Sequence, residues 1–280
     1  MKILNTVTEV REYIKEQKKK GLSIGLVPTM GYLHDGHLSL IKKSTEKNDI
    51  TVISIFVNPT QFSPNEDLDK YPRDFERDSK IAMENGVDVL FYPSVSELYP
   101  KNFQTYVTIE NLSKHLCGKS RPTHFRGVTT IVSKLFNIVT PDNAYFGQKD
   151  AQQYFVLKRM VEDLNFDIHL VMCPIIREKD GLALSSRNVY LNQEERRQAL
   201  CLNQSLKKAK ELVVKGEKYA DIIADYIKET IEKNDLANID YIEVVDTETL
   251  ESVQKIEGRI LIALAVKFGN TRLIDNIIIE

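Results

Sequence analysis

Ser23-Ile24-Gly25-Leu26-Val27-Pro28-Thr29-Met30 runs straight into Gly31-Tyr32-Leu33-His34-Asp35-Gly36-His37, and Leu38, Leu40 and Ile41 follow at helical spacing. The apolar run reads as a short buried strand, and the residues behind it predict a loop and then an amphipathic helix. The same pattern recurs on either side. Upstream, Thr6-Val7-Thr8-Glu9 forms a capping-box signature ahead of Val10, Tyr13 and Ile14, and the helix it starts ends in the solvated run Lys18 to Lys20. Downstream, Ile50 to Val57 predicts a second buried strand, Pro72 to Asn85 a helix stopped by Gly86, and Val87 to Tyr92 a third strand. Val128, Ile131, Val132, Leu135, Phe136 and Val139 mark a helix face, Asn143 to Phe146 a strand, Leu157 to Leu164 a helix and Ile168 to Cys173 a strand. Continuous β-rich runs alternating with helices predict an α/β fold: a Rossmann-like parallel sheet with helices on both faces, over residues 1–175.

After Pro174 the pattern changes. Two helices, Gln193 to Val214 and Tyr219 to Asn234, precede three strands, Ile239 to Val245, Arg259 to Phe268 and Leu273 to Ile279. That order predicts a smaller C-terminal α+β domain with antiparallel strands over 176–280, sharing a cleft with the first.

Lys plus Arg number 38 against 40 Asp plus Glu, a net charge of −2, which argues against wholesale binding to nucleic acid or to an anionic membrane. The 3 cysteines are widely spaced and form no C-x-x-C pair, so they read as reduced thiols. The first residues lack the apolar core of a secretory signal and no long uncharged apolar run occurs, so a cytoplasmic protein is expected.

His34 and His37 stand three apart at a helix start, where unpaired backbone N–H groups favour bound phosphate. The competing readings are Asp35 as a helix cap with the histidines filling space, and zinc, for which H-E-x-x-H and a third ligand are lacking; no metal site is expected. Asn58 and Gln61, after the second strand, offer amides to a hydroxyl or carboxylate. Lys149 and Asp150 lie at another strand end, and Ser185-Ser186-Arg187 forms a loop suited to a polyphosphate. Gly118-Lys119-Ser120 resembles a P-loop ending, but position 113 is Ser where glycine is required. His124 and Arg126 read equally as cleft or packing residues. Asp74, Arg77 and Asp78 read as a solvated helix face.

In order along the chain stand P-T-M-G-x-L-H-x-G-H (Pro28 to His37), F-V-N-P-x-Q-F (Phe56 to Phe62), R-P-x-H-F-x-G-V-x-T (Arg121 to Thr130), Y-F-G-x-K-D-x-Q-Q (Tyr145 to Gln153) and D-G-L-A-x-S-S-R-N-x-Y-L (Asp180 to Leu191). With these five motifs the chain resembles the pantothenate synthetase family over essentially its whole length; H-x-G-H alone would indicate only the wider nucleotidyltransferase superfamily. The resemblance implies an ATP-dependent ligase that condenses pantoate with β-alanine through a pantoyl-adenylate, releasing pyrophosphate and AMP, with Mg2+ and as a homodimer. It places Met30, Gly31, Tyr32, Leu33, His34, Asp35, Gly36 and His37 at ATP, along with Gly147, Gln148, Lys149, Asp150, Ile176, Leu184, Ser185, Ser186 and Arg187. It implies catalytic roles for His37 as proton donor, His34 near the phosphates and Lys149 at the transferring phosphate. Gln61 and Gln153 would hold pantoate, and Gln61 also β-alanine. His34, His37, Lys149 and Arg187 would then supply positive charge. Gln148 and Tyr32 depart from the family's usual acidic and small residues. Two other readings are a related nucleotidyltransferase with a different acceptor and a nucleotide-binding regulator.

Overall fold

The computed structural model describes residues 1–64 and 66–280. Six strands, β1 (Lys2–Leu4), β2 (Ile24–Thr29), β3 (Ile50–Ile55), β4 (Val89–Phe91), β5 (Asn143–Gly147) and β6 (His169–Cys173), form one sheet in the order β1-β4-β3-β2-β5-β6. Every pairing in it is parallel. β3 is buried at every position, which is why its sequence is continuously apolar rather than alternating. Helices on both faces isolate its sides in two cores, one built on Leu26, Val52 and Phe136 and the other on Val27, Ile53 and Tyr145.

The strand order reverses at β2, between β3 and β5. Pro28 explains how a crevice opens there. β2 pairs with β5 only at Gly25↔Asn143 and Leu26↔Ala144, whereas it pairs with β3 along its length up to Thr29↔Ile55. Pro28, lacking an N–H, lies beyond the last β2–β5 pair, where no donor is needed. The two chains part at their carboxyl ends, the place where open α/β sheets take ligands.

The second sheet comprises β7 (Ala237–Asp246), β8 (Ile260–Phe268) and β9 (Thr271–Ile279), antiparallel in that order. Its central strand is buried on both faces. Ile260, Ile262, Leu264, Val266 and Phe268 pack on the helices Cys201–Val214 and Ala220–Glu232. Leu261 and Ala263 pack instead against Phe155 and Val156 of the helix Ala151–Asp163, so one face of the sheet docks onto the first unit.

The structure differs from the expected elements at their ends. The Thr6 capping box is present, but β1, only three residues long, carries too little periodicity to be read. The helix expected from Pro72 begins at Phe75, where the Asp74 side chain accepts from Arg77 N–H. The single helix expected over Gln193 to Val214 is two, Gln193–Ala199 and Cys201–Val214, meeting at Leu200. The three cysteines are free and buried. No helix among the described residues is long and apolar enough to cross a membrane.

Candidate active site

The turn after β2 is the first wall. Gly31 and Tyr32 take successive positive φ angles of 86° and 52°, which turns the N–H groups of Tyr32 and Leu33 to one side. Both donate to the carboxylate of Asp78, at 2.6 and 2.8 Å. Arg77 closes the arrangement, its guanidinium 3.3 Å from Asp78 and donating to the Leu33 carbonyl at 2.8 Å. Asp78 is 1 % exposed, so the solvated face expected for it is corrected. Its helix lies against the turn, and the carboxylate satisfies two N–H groups that would otherwise be buried unpaired. Burial raises the carboxyl's pKa, with the two backbone bonds opposing that.

The helix Asp35–Thr45 then starts with two imidazoles in a reciprocal cap. His34 is the N-cap; its Nδ1 accepts from Gly36 N–H at 3.1 Å, and His37 Nδ1 accepts from His34 N–H at 3.3 Å. The capping role considered for Asp35 therefore belongs to His34. With each Nδ1 an acceptor, a neutral ring carries its proton on Nε2. Burial, reinforced by the Lys149 ammonium, lowers the His34 pKa to about 4. Burial, the neighbouring His34 and Lys149 push His37 well below its usual value. In the absence of a bound anion, burial therefore favours the uncharged form of both rings at neutral pH, with Nε2–H free to donate. The ring centroids are 4.1 Å apart.

These rings open into a cavity of about 230 Å³. The end of β5 and the turn after it add Gly147 and Lys149 to the lining, the Lys149 Nζ lying 3.5 Å from the Asp150 carboxylate. After β3, the turn Pro59–Gln61 presents Gln61, with Nε2 3.1 Å from Met30 Sδ and Oε1 accepting from Asn58 Nδ2 at 3.0 Å. His124 Nδ1 lies 3.0 Å from the Gln61 carbonyl; a carbonyl can only accept, so Nδ1 bears the proton. Burial, then Arg121, lowers the His124 pKa to about 4. Phe56, Val128, Ile131, Val132 and Leu135 make an apolar wall beside Gln61 and Gln153. The segments after Phe62 and Ser185 meet at the cavity's rim. There Arg187 forms a two-pronged pair with Asp67, both contacts 3.0 Å, and Tyr71 Oη lies 3.3 Å from Ser186 Oγ. Arg121 is held likewise by Glu66 at 2.7 and 2.6 Å.

Of the residues singled out from sequence, Met30, His34, Gly36, His37, Gln61, Gly147, Lys149, Asp150, Gln153, Ile176, Leu184, Ser185, Ser186 and Arg187 line this one cavity. Gly31, Tyr32, Leu33, Asp35 and Gln148 do not: Leu33 is fully buried, Tyr32 stacks with Arg77, Asp35 is exposed and the Gln148 amide faces Asn276. His124 reaches the cavity, whereas Arg126 stacks on Tyr106 outside it. Asp67, Glu66 and Tyr71 were not singled out, because their partners come from segments distant in sequence. The spacing of Val128, Ile131, Val132 and Leu135 marked a helix face but could not say that part of that face borders a cavity. No cluster of three potential metal ligands occurs among the described residues.

The family model for pantoate-beta-alanine ligase matches residues 2–278. The chain belongs to the pantoate-beta-alanine ligase family. It is 60% identical over 280 residues to the pantothenate synthetase of Acetivibrio thermocellus, and 57% identical over 279 residues to that of Thermotoga petrophila, in each case covering 100% of both chains. The crystal structure of pantothenate synthetase from Thermus thermophilus matches with a TM-score of 0.94 and 42% identity over 99% of each chain. The pantoate-beta-alanine ligase of Francisella tularensis, complexed with beta-gamma ATP and beta-alanine, matches with a TM-score of 0.78 and 36% identity, over 99% of this chain and 97% of that one. Family members of this identity share the fold from end to end, both sheets included.

Proposed function

We propose that the protein is an ATP-dependent ligase that joins pantoate to β-alanine through a pantoyl-adenylate. The observation that carries the reading is the make-up of one cavity, which brings together two imidazoles on a helix N-terminus, Lys149, Gln61, Gln153 and the apolar side chains of Phe56, Val128, Ile131, Val132 and Leu135. The imidazoles and Lys149 suit phosphates, and the two glutamines with the apolar side chains suit a branched hydroxy-acid.

In the first step a pantoate carboxylate oxygen attacks the α-phosphorus of ATP and pyrophosphate leaves. Negative charge on the nonbridging oxygens and on the leaving group must be held as it develops. Lys149 supplies a point charge, and the Nε2–H groups of His34 and His37 donate hydrogen bonds to phosphate oxygens, bonds that strengthen as negative charge builds on those oxygens. His37 is assigned as proton donor to the departing pyrophosphate, a role it takes once the phosphate charge of bound ATP has raised its pKa enough for the ring to carry a second proton. Arg187 joins them once a polyphosphate competes with Asp67. In the second step the β-alanine amine attacks the acyl carbon, the bond from that carbon to the phosphate oxygen breaks, and AMP leaves as the amine's proton passes to its phosphate or to solvent. Gln61 orients both acids. Gly147, Ile176 and Leu184 line the cavity, while Gly31, Tyr32, Leu33, Asp35 and Gln148 serve the nucleotide site indirectly, by shaping the turns that carry Met30, His34, His37 and Lys149. Mg2+ would enter on the ATP phosphates, which need few protein ligands, with Asp150 the carboxylate beside them.

The mixed anhydride must be kept from water between the steps. Residues 176–280 and the Ser185 to Asn188 loop are assigned as the part that closes over residues 1–175. The protein is taken to work as a cytoplasmic homodimer, which sedimentation velocity tests. The activity is tested by pantoate-dependent exchange of labelled pyrophosphate into ATP without β-alanine, followed by AMP release when the amine is added. Exchange with no requirement for pantoate, or none with folded protein, overturns the reading.

A further inference from the structure

β9 carries two consecutive polar residues, Asp275 and Asn276, inside the otherwise apolar run Leu273-Ile274-Asp275-Asn276-Ile277-Ile278-Ile279. They are 3 % and 4 % exposed. Consecutive strand residues face opposite sides of a sheet, and these two reach different loops. Asp275 takes a two-pronged bond from Arg177, at 2.7 and 2.9 Å. Arg177 also donates to the Gly181 carbonyl at 3.2 Å, so this contact anchors the arm that leads to Ser185 and Arg187. On the other face, Asn276 Nδ2 donates to the carbonyls of Gln148 and Lys149 at 2.9 and 3.0 Å, and its Oδ1 accepts from Gln148 Nε2 at 3.3 Å. The Asp275 carboxylate also accepts from Asn276 N–H at 2.8 Å.

The Lys149 loop needs such support. It is a single tight turn, Gln148–Asp150, and neither it nor the following helix has a side-chain cap of its own. The two carbonyls that Asn276 holds flank the Lys149 Cα. One amide, from the other sheet, therefore fixes the backbone from which the ammonium projects.

We propose that Asn276 is a positioning residue for Lys149, with Asp275 behind it setting the distance between Lys149 and the Arg187 arm. The proposal rests on the ligase reading above for its kinetic arm only. A displacement of about 1 Å in a charge that stabilises a transition state can cost up to 100-fold in rate. Asn276→Ala and Asn276→Asp both remove the two donors. Each is expected to lower the turnover of pantoate-dependent pyrophosphate exchange by roughly 10- to 100-fold, with KM values for ATP and pantoate changed less than about threefold. Because Asn276 acts through Lys149, adding Asn276→Ala to Lys149→Ala should cost little further, whereas a separate structural role would make the losses multiply. The second measurement is hydrogen exchange of the Gly147 to Ala151 amides, expected to speed up in either variant while β8 stays protected. Turnover within twofold of the parent in a folded variant, multiplying losses, or unchanged exchange at Gly147 to Ala151 would each overturn the assignment. If the parent itself shows no pantoate-dependent activity the ligase reading fails, and hydrogen exchange still decides whether Asn276 holds the loop. Either variant suffices, so misfolding of one leaves the other to decide.

Discussion

Asp78 illustrates what a single side chain settles that its own neighbourhood in sequence does not reveal. It sits in Asp74-Phe75-Glu76-Arg77-Asp78, a stretch with the composition of a wet helix face, yet its partners are the N–H groups of Tyr32 and Leu33. Removing it would leave those groups buried and unpaired, and Tyr32 in a left-handed conformation with nothing to hold it. Asp78→Ala should lower unfolding free energy by about 2–4 kcal/mol, read by urea denaturation, and should raise the KM for ATP because Met30 to His34 follow the turn. An unchanged denaturation midpoint would show that the turn holds itself. Lys149 and Gln61 divide along a different line. Losing a charge that acts on the transition state costs on the order of 100- to 1000-fold in turnover, so Lys149→Ala should fall by that much in exchange assays. Gln61→Ala should mainly raise the KM for pantoate, since it orients the bound acid. A Lys149→Ala rate within tenfold of the parent, or an unmoved pantoate KM, would reassign them. The motifs named both residues from sequence. What they could not show is that burial lowers the pKa of the two histidines and that the Nδ1 contacts leave Nε2 as the donor, because both depend on the folded surroundings.

The strands that build the sheet were legible because a parallel sheet covered on both faces demands unbroken apolar runs, and Ile50 to Ile55 is such a run. Short or contact-defined elements were not. β1 has three residues and exists by pairing with β4; the Pro59–Gln61 turn exists by lying against the helix His124–Val139. That last contact depends on Gly127. A Cβ there would sit 2.5 Å from Gln61 N and closer still to the Thr60 carbonyl oxygen, both backbone atoms that cannot swing aside. Asn58 Nδ2 also donates to the Gly127 carbonyl, at 3.1 Å. Gly127→Ala should therefore push helix and turn apart, costing about 1–3 kcal/mol as overpacking does, and carry Gln61 away from the cavity. The expected signature is a lowered thermal midpoint together with a raised pantoate KM and a smaller change in turnover. If stability falls while the pantoate KM stays put, the turn has moved as a unit with its glutamine and the helix contact does not set the binding geometry.

Across the whole molecule, burial of histidine sets an acid limit distinct from that of the ion pairs. His34 and His124 are lowered to about 4, and His37 is likewise lowered well below the ordinary value of 6.5. Between pH 6.5 and about 4 the unfolded chain therefore binds protons that the folded one refuses, so stability falls as pH drops through that window. The carboxylates act lower. Burial by itself would raise Glu66 and Asp67, but Arg121 and Arg187 outweigh it and hold both below their usual range; their contribution is present above the unfolded carboxylate pKa and is lost only as pH drops past it. Asp78, raised by burial, shifts in the opposite sense over that same low range. Urea midpoints should accordingly decline from pH 7 to pH 4.5, before the acid pairs are touched. His124→Gln should flatten part of that slope, since a glutamine amide can donate to the Gln61 carbonyl without titrating. Saturating ATP should flatten it further, because phosphate beside Nε2 of His34 and His37 lets the folded state accept those protons. A midpoint flat from pH 7 to pH 4.5 in the absence of nucleotide would mean that the rings titrate in the folded protein as they do in the unfolded chain. Below pH 6.5 phosphates would then meet imidazolium cations, and the two rings would add their charge to that of Lys149 and Arg187 at the first step.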